Sequence, residues 1–191
     1  MKRFEIVNHL AKLYGYTKYL EIGVHEGKSF RKVKIDDKDG VDPAGNCNFP
    51  MPSDEFFKTN KKIYDIVFID GLHLDDQVIR DVENSLKFLS DGGMIVMHDC
   101  YPKRERHQTD IQPEHGAWTG TVWRAFAKLR ISRPDLYMEC VNTDHGVGLV
   151  KKGSQETLNF KPKKLNYQFF RKHKREILNL ISVEDFLEKY K

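Results

Sequence analysis

Acidic, histidine and glycine residues stand where four strand-like segments of this chain end. They are Glu21 with Gly23 and Gly27, Asp42, Asp70 with Gly71, and His98 with Asp99. In a parallel sheet, ligands bind at the carboxyl ends of the strands, and a carboxylate after the second strand can accept hydrogen bonds from ribose hydroxyls. Glycines after the first strand let backbone N–H groups approach a ligand closely. These positions therefore predict a ligand site at one edge of a sheet.

The first of these turns does not have the pattern of a dinucleotide site. It reads Glu-x-Gly-x-x-x-Gly, whereas dinucleotide binders use G-x-G-x-x-G to bring a helix N-terminus onto a pyrophosphate. A carboxylate at this turn would repel a pyrophosphate and suits an ammonium or sulfonium ligand.

The elements that would position these residues alternate between strand and helix, which favours a mostly parallel sheet covered on both faces. The predicted strands are Lys18–Val24, Gly40–Pro43, Asp65–Asp70, Met94–Met97, Leu136–Val141 and Val147–Val150. The predicted helices are Phe4–Tyr14, Val78–Leu89, Thr119–Leu129, Lys161–Lys174 and Val183–Tyr190. Residues 101–117 are polar and predict a long loop, which with Trp118 could cover a substrate as a lid. Trp123 reads mainly as core.

Several segments of the chain resemble the class I S-adenosylmethionine-dependent methyltransferases. More narrowly, they are similar to the small group related to catechol and macrolide-sugar O-methyltransferases. The segments are YLEIGVHEGKSF, GVDP, SDEFFKTNKKIYDIVFIDGLH and DGGMIVMHDC, with GTVWRAFAKLR and DHGVGLV extending the resemblance. It implies a three-layer, Rossmann-like α/β sheet, mostly parallel with an antiparallel edge strand, and S-adenosylmethionine as cofactor.

The resemblance also implies a role for individual residues. Glu21, Gly23, Val24 and Gly27 would surround the methionine part of the cofactor, and Asp42 would bind the ribose. Two further groups complete the implied cofactor site. Ser53 and Asp54 would lie near the adenine, and Asp70, Gly71 and Leu72, with His73, would line the mouth shared with the substrate.

The early crossovers are shorter than that family's pattern. Only 14 residues separate Gly27 from Asp42, and 10 separate Asp42 from Ser53. A full βαβ crossover needs about a dozen or more residues. We therefore expect a short first crossover helix, and a second helix that is missing or replaced by the loop PAGNCNFPMP.

Two chemistries fit the residues at the third and fourth strand ends. Catechol-type relatives place a divalent metal on aspartates equivalent to Asp70 and Asp99, and oxygen ligands suit Mg²⁺, Ca²⁺ or Mn²⁺. Cys100 replaces the amide ligand of that type and suits a hard cation poorly. The metal-free alternative uses a histidine as general base, His98 together with Asp99, or His73.

The charge of the chain is unevenly distributed. The net charge is +4, but residues 151–191 carry 11 Lys+Arg against 5 Asp+Glu, and the first 150 residues are slightly acidic. We therefore divide the chain into a methyltransferase domain, 1–150, and a basic helical extension packed on it, 151–191. Apolar residues within the extension favour packing or self-association into a homo-oligomer over nucleic-acid binding.

Composition excludes several other classes of protein. No apolar run approaches the roughly 18 residues of a membrane span, and the first residues do not form a signal peptide. Three cysteines without CxxC spacing argue against a disulfide framework or a zinc cage. We expect a cytoplasmic S-adenosylmethionine-dependent methyltransferase that acts on the hydroxyl of a small molecule such as a sugar. The alternatives are a catalytically inactive module that binds RNA or an anionic partner through the tail, and another metal-dependent enzyme on the same scaffold.

Overall fold

A computed structural model describes residues 1–160 and 165–191 of the chain. Its strands are β1 (Lys18–Ile22), β2 (Asp37–Val41), β3 (Tyr64–Ile69), β4 (Leu89–Met97), β5 (Leu136–Val141), β6 (Val147–Lys152) and β7 (Leu180–Ile181). Its helices are α1 (Arg3–Tyr14), α2 (Ser53–Thr59), α3 (Asp75–Lys87), α4 (Val122–Ser132), α5 (Tyr167–Leu178) and α6 (Val183–Lys189). Single turns of 3₁₀ helix lie at Phe30–Lys32 and Glu105–His107.

The strands form one sheet in the order β2-β1-β3-β4-β6-β5-β7. β6 runs antiparallel to β4 and β5, and the other neighbouring pairs in the described sheet are parallel. The predicted fold class, a mostly parallel α/β sheet with an antiparallel strand near one edge, is confirmed.

Helices cover both faces of the sheet because successive strand residues point to opposite sides. In β3, Val67 belongs to an apolar cluster shared with α2, α3, α4 and α5, whereas Phe68 belongs to a second cluster with α1 and α6. Trp123 of α4 is fully buried in the first cluster, as predicted for a core residue. The three-layer arrangement leaves the carboxyl ends of β1 to β4 free to build a site.

The connections from β1 to β2 and from β2 to β3 contain different amounts of helix. The first contains only the 3₁₀ turn Phe30–Lys32, in agreement with a shortened helix. The prediction that the second helix is missing is wrong, because the seven-residue α2 follows the loop after β2. Phe56 and Phe57 of α2 are buried in the core, and this burial stabilises a helix too short to persist alone.

Element boundaries elsewhere move by a few residues from those predicted. β2 begins at Asp37, ahead of the predicted Gly40, and α3 begins at Asp75, ahead of the predicted Val78. The helix predicted over Lys161–Lys174 begins at Tyr167 instead, and residues 161–164 of that prediction lie outside the described residues. No helix in the described part of the chain is long and apolar enough to cross a membrane.

The C-terminal residues pack on the rest of the chain. β7, which the sequence did not predict, pairs in parallel with β5. On one face Phe170 of α5 packs on Trp123, with ring centroids 4.7 Å apart. On the other face Phe186 of α6 is fully buried.

Candidate active site

A cavity of about 1040 Å³ lies at the carboxyl ends of β1, β2, β3 and β4. The predicted site residues that line it are Glu21, Gly23, Val24, Asp42, Ser53, Asp54, Asp70, Gly71, Leu72, His73, His98 and Asp99. Gly27 does not line the cavity; its N–H donates to the carbonyl of Val24 and closes the turn after β1. The structure therefore brings the predicted residues together in one place.

The turn after β1 needs a glycine at Gly23. Its φ of +90° lies in the region that glycine adopts without strain. A Cβ at this position would lie 2.2 Å from the carbonyl oxygen of Asp70, and the Gly23 N–H donates to the carbonyl of Val41 at 2.9 Å. The ends of β1, β2 and β3 thus converge on one glycine backbone, which lines the cavity.

Asp42 is fixed as a hydrogen-bond acceptor at the end of β2. The residue is 8% exposed. Its Oδ2 accepts from the backbone N–H of His25 at 2.7 Å, and its Oδ1 accepts from that of Ala44 at 2.8 Å. Each carboxylate oxygen retains further acceptor capacity for a ligand.

Glu21 lies on β1 beneath the cavity and accepts a hydrogen bond from the hydroxyl of Tyr19. Burial raises the pKa of Glu21 to about 8, because only 1% of the residue is exposed. The carboxyl group is therefore mainly protonated at pH 7 without a ligand. The sequence predicted a charged carboxylate here, and burial, which only the fold reveals, accounts for the difference.

Two aspartates and two histidines form a compact cluster at the ends of β3 and β4. The His73 ring lies between the carboxylates, with Nε2 3.3 Å from Asp70 Oδ1 and Nδ1 3.4 Å from Asp99 Oδ2. The His98 Nδ1 lies 3.0 Å from Asp70 Oδ1 and 3.3 Å from Asp99 Oδ2. Opposite charges at these distances stabilise one another in a partly buried site.

Both ring nitrogens of His98 are occupied as donors. Nδ1 donates to Asp70, and Nε2 donates to the backbone carbonyl of Asp144 at 2.7 Å. Burial alone would lower the pKa of His98, but the charges and hydrogen bonds of Asp70 and Asp99 raise it well above its usual value. In this arrangement His98 holds Asp70 in place and has no free nitrogen to accept a proton.

Arg3 and Asp144 complete the cluster, and neither was singled out from the sequence. Arg3 Nη1 donates to Asp144 Oδ2 at 3.0 Å, and Nε lies 3.4 Å from Asp70 Oδ2. Arg3 reads as an ordinary charge at a helix start, and Asp144 lies 141 positions further along the chain. Only the packing of α1 beside the turn between β5 and β6 brings the two together.

Asp70, His73 and Asp99 each offer one ligand atom, and these atoms lie within 4.8 Å of one another. The His73 Nδ1 is buried and has no hydrogen-bond partner among the described residues. Two carboxylate oxygens and an imidazole nitrogen suit a divalent cation such as Mg²⁺ or Mn²⁺. Cys100 takes no part, because it is fully buried and directs its Sγ toward the carbonyls of Met97 and His98.

The long loop 101–117 and Trp118 form part of the cavity wall. Asp110, Gln112, Gly116 and Trp118 line the cavity. The Trp118 ring stacks on His73 with centroids 4.9 Å apart and planes inclined by 24°. The basic residues Arg104 and Arg106 of the same loop are exposed.

The chain is similar to known methyltransferases in sequence and in fold. Residues 45–100 match the family model described as a methyltransferase domain. No curated protein matches the chain.

Three solved structures illustrate the structural similarity. A methyltransferase of Podospora anserina, PaMTH1, solved with S-adenosylhomocysteine, has 17% identity and a TM-score of 0.58, covering 80% of this chain and 78% of that one. The Streptomyces achromogenes O-methyltransferase TomG, involved in tomaymycin synthesis and solved with S-adenosylmethionine, has 16% identity and a TM-score of 0.58, covering 80% of each chain. A Bacillus cereus O-methyltransferase solved with S-adenosylhomocysteine has 16% identity and a TM-score of 0.54, covering 78% and 80%.

The structural similarity extends over about four fifths of each chain, and the family model covers the stretch from the loop after β2 to Cys100. That stretch contains Ser53, Asp54, Asp70 and Asp99, and the cavity lies beside it. The chain therefore has the fold of the class I S-adenosylmethionine-dependent methyltransferases, and the resemblance predicted from its sequence is confirmed.

Proposed function

We propose that this protein transfers a methyl group from S-adenosylmethionine to a hydroxyl oxygen of a small polyhydroxylated molecule, for example a sugar. One observation carries the proposal: a single cavity contains both a cradle for the cofactor and a cluster able to activate a hydroxyl. The two meet at Asp70, whose carbonyl touches Gly23 and whose carboxylate belongs to the cluster. Donor and acceptor would therefore meet at the centre of the cavity.

The residues around Gly23 fit the cofactor. Gly23 lines the cavity with its backbone alone, because the carbonyl of Asp70 occupies the place of a side chain. Asp42 is held by two backbone N–H groups in the orientation of a ribose acceptor. S-adenosylmethionine supplies a methyl group made electrophilic by the sulfonium. Glu21 lies below this position, and a cation beside it would favour its ionised form.

Asp70, His73 and Asp99 would hold a divalent cation beside the cofactor. Such an ion lowers the pKa of a coordinated hydroxyl. The convergence of the three ligand atoms supports this assignment, as does the buried Nδ1 of His73, which makes no hydrogen bond within the described residues although it lies 3.4 Å from Asp99 Oδ2. His98 supports it indirectly, because both its nitrogens already donate and a metal-free mechanism would lack that base.

Trp118 and Leu72 give the cavity wall an apolar part that an acceptor molecule would contact. Trp118 covers one side of His73, and Leu72 is 55% exposed at the cavity wall. Asp110 and Gln112 add polar groups to the same wall. An aromatic face beside polar groups suits a small ring that carries several hydroxyls. The RNA-binding alternative has no comparable support, since the predicted residues converge on this cavity.

Isothermal titration with S-adenosylhomocysteine tests the proposal. We expect the wild-type protein to bind, and Asp42→Ala to weaken binding at least about tenfold, because a charged acceptor of hydrogen bonds is lost. Asp36→Ala removes an exposed carboxylate just before β2 and serves as the matched control, with affinity unchanged. No detectable binding up to millimolar ligand would refute the function, and unchanged affinity in Asp42→Ala would refute the ribose assignment alone.

A further inference from the structure

We infer that Asp81, held by Ser53 and Gln77, recognises the exocyclic amino group of the cofactor's purine, so that the site selects adenine over hypoxanthine. This inference rests on the proposed function and assigns the base specificity of that site. Nothing in the sequence singles out Asp81 or Gln77, because each occupies an ordinary polar position on α3.

Asp81 lines the cavity although the residue is only 1% exposed. Gln77 lies one turn earlier on the same face of α3, since residues four apart are neighbours on a helix. Ser53 is the first residue of α2, and it lines the cavity next to Asp81. A carboxyl group so deeply buried beside an open cavity is costly unless it is paired.

The hydrogen bonds of Asp81 all go to one of its two oxygens. Oδ1 accepts from the Ser53 hydroxyl at 2.6 Å and from Gln77 Nε2 at 3.0 Å. No hydrogen bond within the described part of the chain reaches Oδ2. With Oδ1 fixed by two donors, Oδ2 presents an acceptor to a ligand, and an exocyclic amine is a donor that matches it.

This end of the cavity adjoins the ribose acceptor. Asp42, Pro43, Ala44, Pro52 and Ser53 all line the cavity. The Asp42 N–H donates to the carbonyl of Phe49 at 3.2 Å, which holds the loop after β2 against the end of that strand. The prolines and Ala44 offer apolar surface to the faces of a flat base, while the polar groups of α2 and α3 meet its edge.

Burial raises the pKa of Asp81 to about 6, and the hydrogen bonds from Ser53 and Gln77 oppose that effect. At pH 8 the carboxyl group is therefore ionised and acts only as an acceptor. Hypoxanthine places a carbonyl where adenine has its amine, and two acceptors would then face one another.

Asp81→Asn tests the inference directly, because the hydrogen bonds from Ser53 and Gln77 determine the orientation of the new side-chain amide. Both neighbours donate to the Oδ1 position, so the amide oxygen should remain there and the NH₂ group should take the Oδ2 position. The variant then presents a donor, which matches hypoxanthine and opposes adenine. A purely structural role for Asp81 would weaken both ligands alike and leave their ratio unchanged.

The experiment measures binding of S-adenosylhomocysteine and S-inosylhomocysteine at pH 8 by isothermal titration. We expect the wild-type protein to prefer the adenosyl ligand at least about tenfold, and the affinity ratio to fall at least about tenfold in Asp81→Asn. Asp76→Asn makes the same change on the exposed face of α3 and should keep the wild-type ratio.

Each other outcome has a distinct meaning. Equal affinity of the wild-type protein for both ligands refutes the inference and leaves the proposed function standing, and this result does not depend on whether the variant folds. A wild-type ratio in folded Asp81→Asn also refutes it. Binding of neither ligand by the wild-type protein refutes the proposed function itself.

Discussion

A Cβ added to Gly23 would lie 2.2 Å from the carbonyl oxygen of Asp70, so the ends of β1 and β3 are in direct contact in the wall of the cavity. Asp70 N donates in turn to the carbonyl of Ile22 at 2.8 Å. This contact fixes the turn after β1, where we propose that the cofactor binds, relative to the histidine–aspartate cluster. Alignment of donor and acceptor is a large part of what an enzyme contributes to a transfer reaction.

Gly23→Ala is expected to destabilise the fold far more than Gly45→Ala. Both glycines have a φ of +90°, but a Cβ on Gly45 would meet no atom within 4 Å. The Gly45 variant therefore reports the backbone strain alone, about 1–2 kcal/mol, and the Gly23 variant adds a steric cost of about 1–3 kcal/mol. Urea unfolding of the two variants measures the difference, and equal losses would mean that the β1–β3 contact is not tight.

Arg3 and Asp144 are expected to show a coupling free energy of about 1–3 kcal/mol in a double-mutant cycle. Arg3→Met and Asp144→Asn remove one partner each, and asparagine suits the positive φ of Asp144. Lys2→Met with Asp144→Asn is the matched control, because Lys2 lies 3.6 Å from Asp144 but its side chain is 66% exposed. That second coupling should be below about 1 kcal/mol. Equal coupling in the two cycles would contradict a specific role for Arg3.

Glu21 should make the protein less stable as the pH rises. Its folded-state pKa of about 8 lies above the ordinary value of 4.5, so between these values the unfolded chain is ionised while the folded protein keeps its proton. Stability then falls by about 1.4 kcal/mol per pH unit from this group. Urea unfolding at pH 5.5 and 7.5 should show wild type losing about 2–3 kcal/mol relative to Glu21→Gln. Parallel pH profiles would contradict a protonated Glu21.

The sequence predicted the fold, and it predicted that the residues at the ends of β1 to β4 come together, because local patterns determine both. β5 was predicted at its observed bounds, Leu136–Val141, a segment of mostly apolar residues. The cavity residues that follow β1 to β4 were found because strand ends share one edge of a parallel sheet.

The features that the sequence did not reveal depend on contacts between distant segments. The pairing of β7 with β5, the contact of Arg3 with Asp144 and the raised pKa of Glu21 all require the folded chain. The helix α2 was missed because spacing alone does not show whether a short segment can bury Phe56 and Phe57.

Divalent cations are expected to stabilise the protein through Asp70, His73 and Asp99. A ligand that binds only the folded state at 100 times its Kd adds about 2.7 kcal/mol, which for a chain of this size raises Tm by roughly 5–10 °C. We expect such a shift with Mn²⁺, a smaller or equal one with Mg²⁺, and reversal by EDTA. Asp99→Asn should abolish the shift, since it removes one ligand while suiting the positive φ of that residue.

Asp110→Asn controls for nonspecific binding of the cation to acidic groups. Asp110 lines the same cavity but lies outside the three-residue cluster, and its side chain is 72% exposed beside Arg124. This variant should keep the full increase in Tm. A shift of equal size in Asp99→Asn, or none in wild type, would show that the cluster does not hold a metal, and the hydroxyl would then have to be activated by the side chains alone.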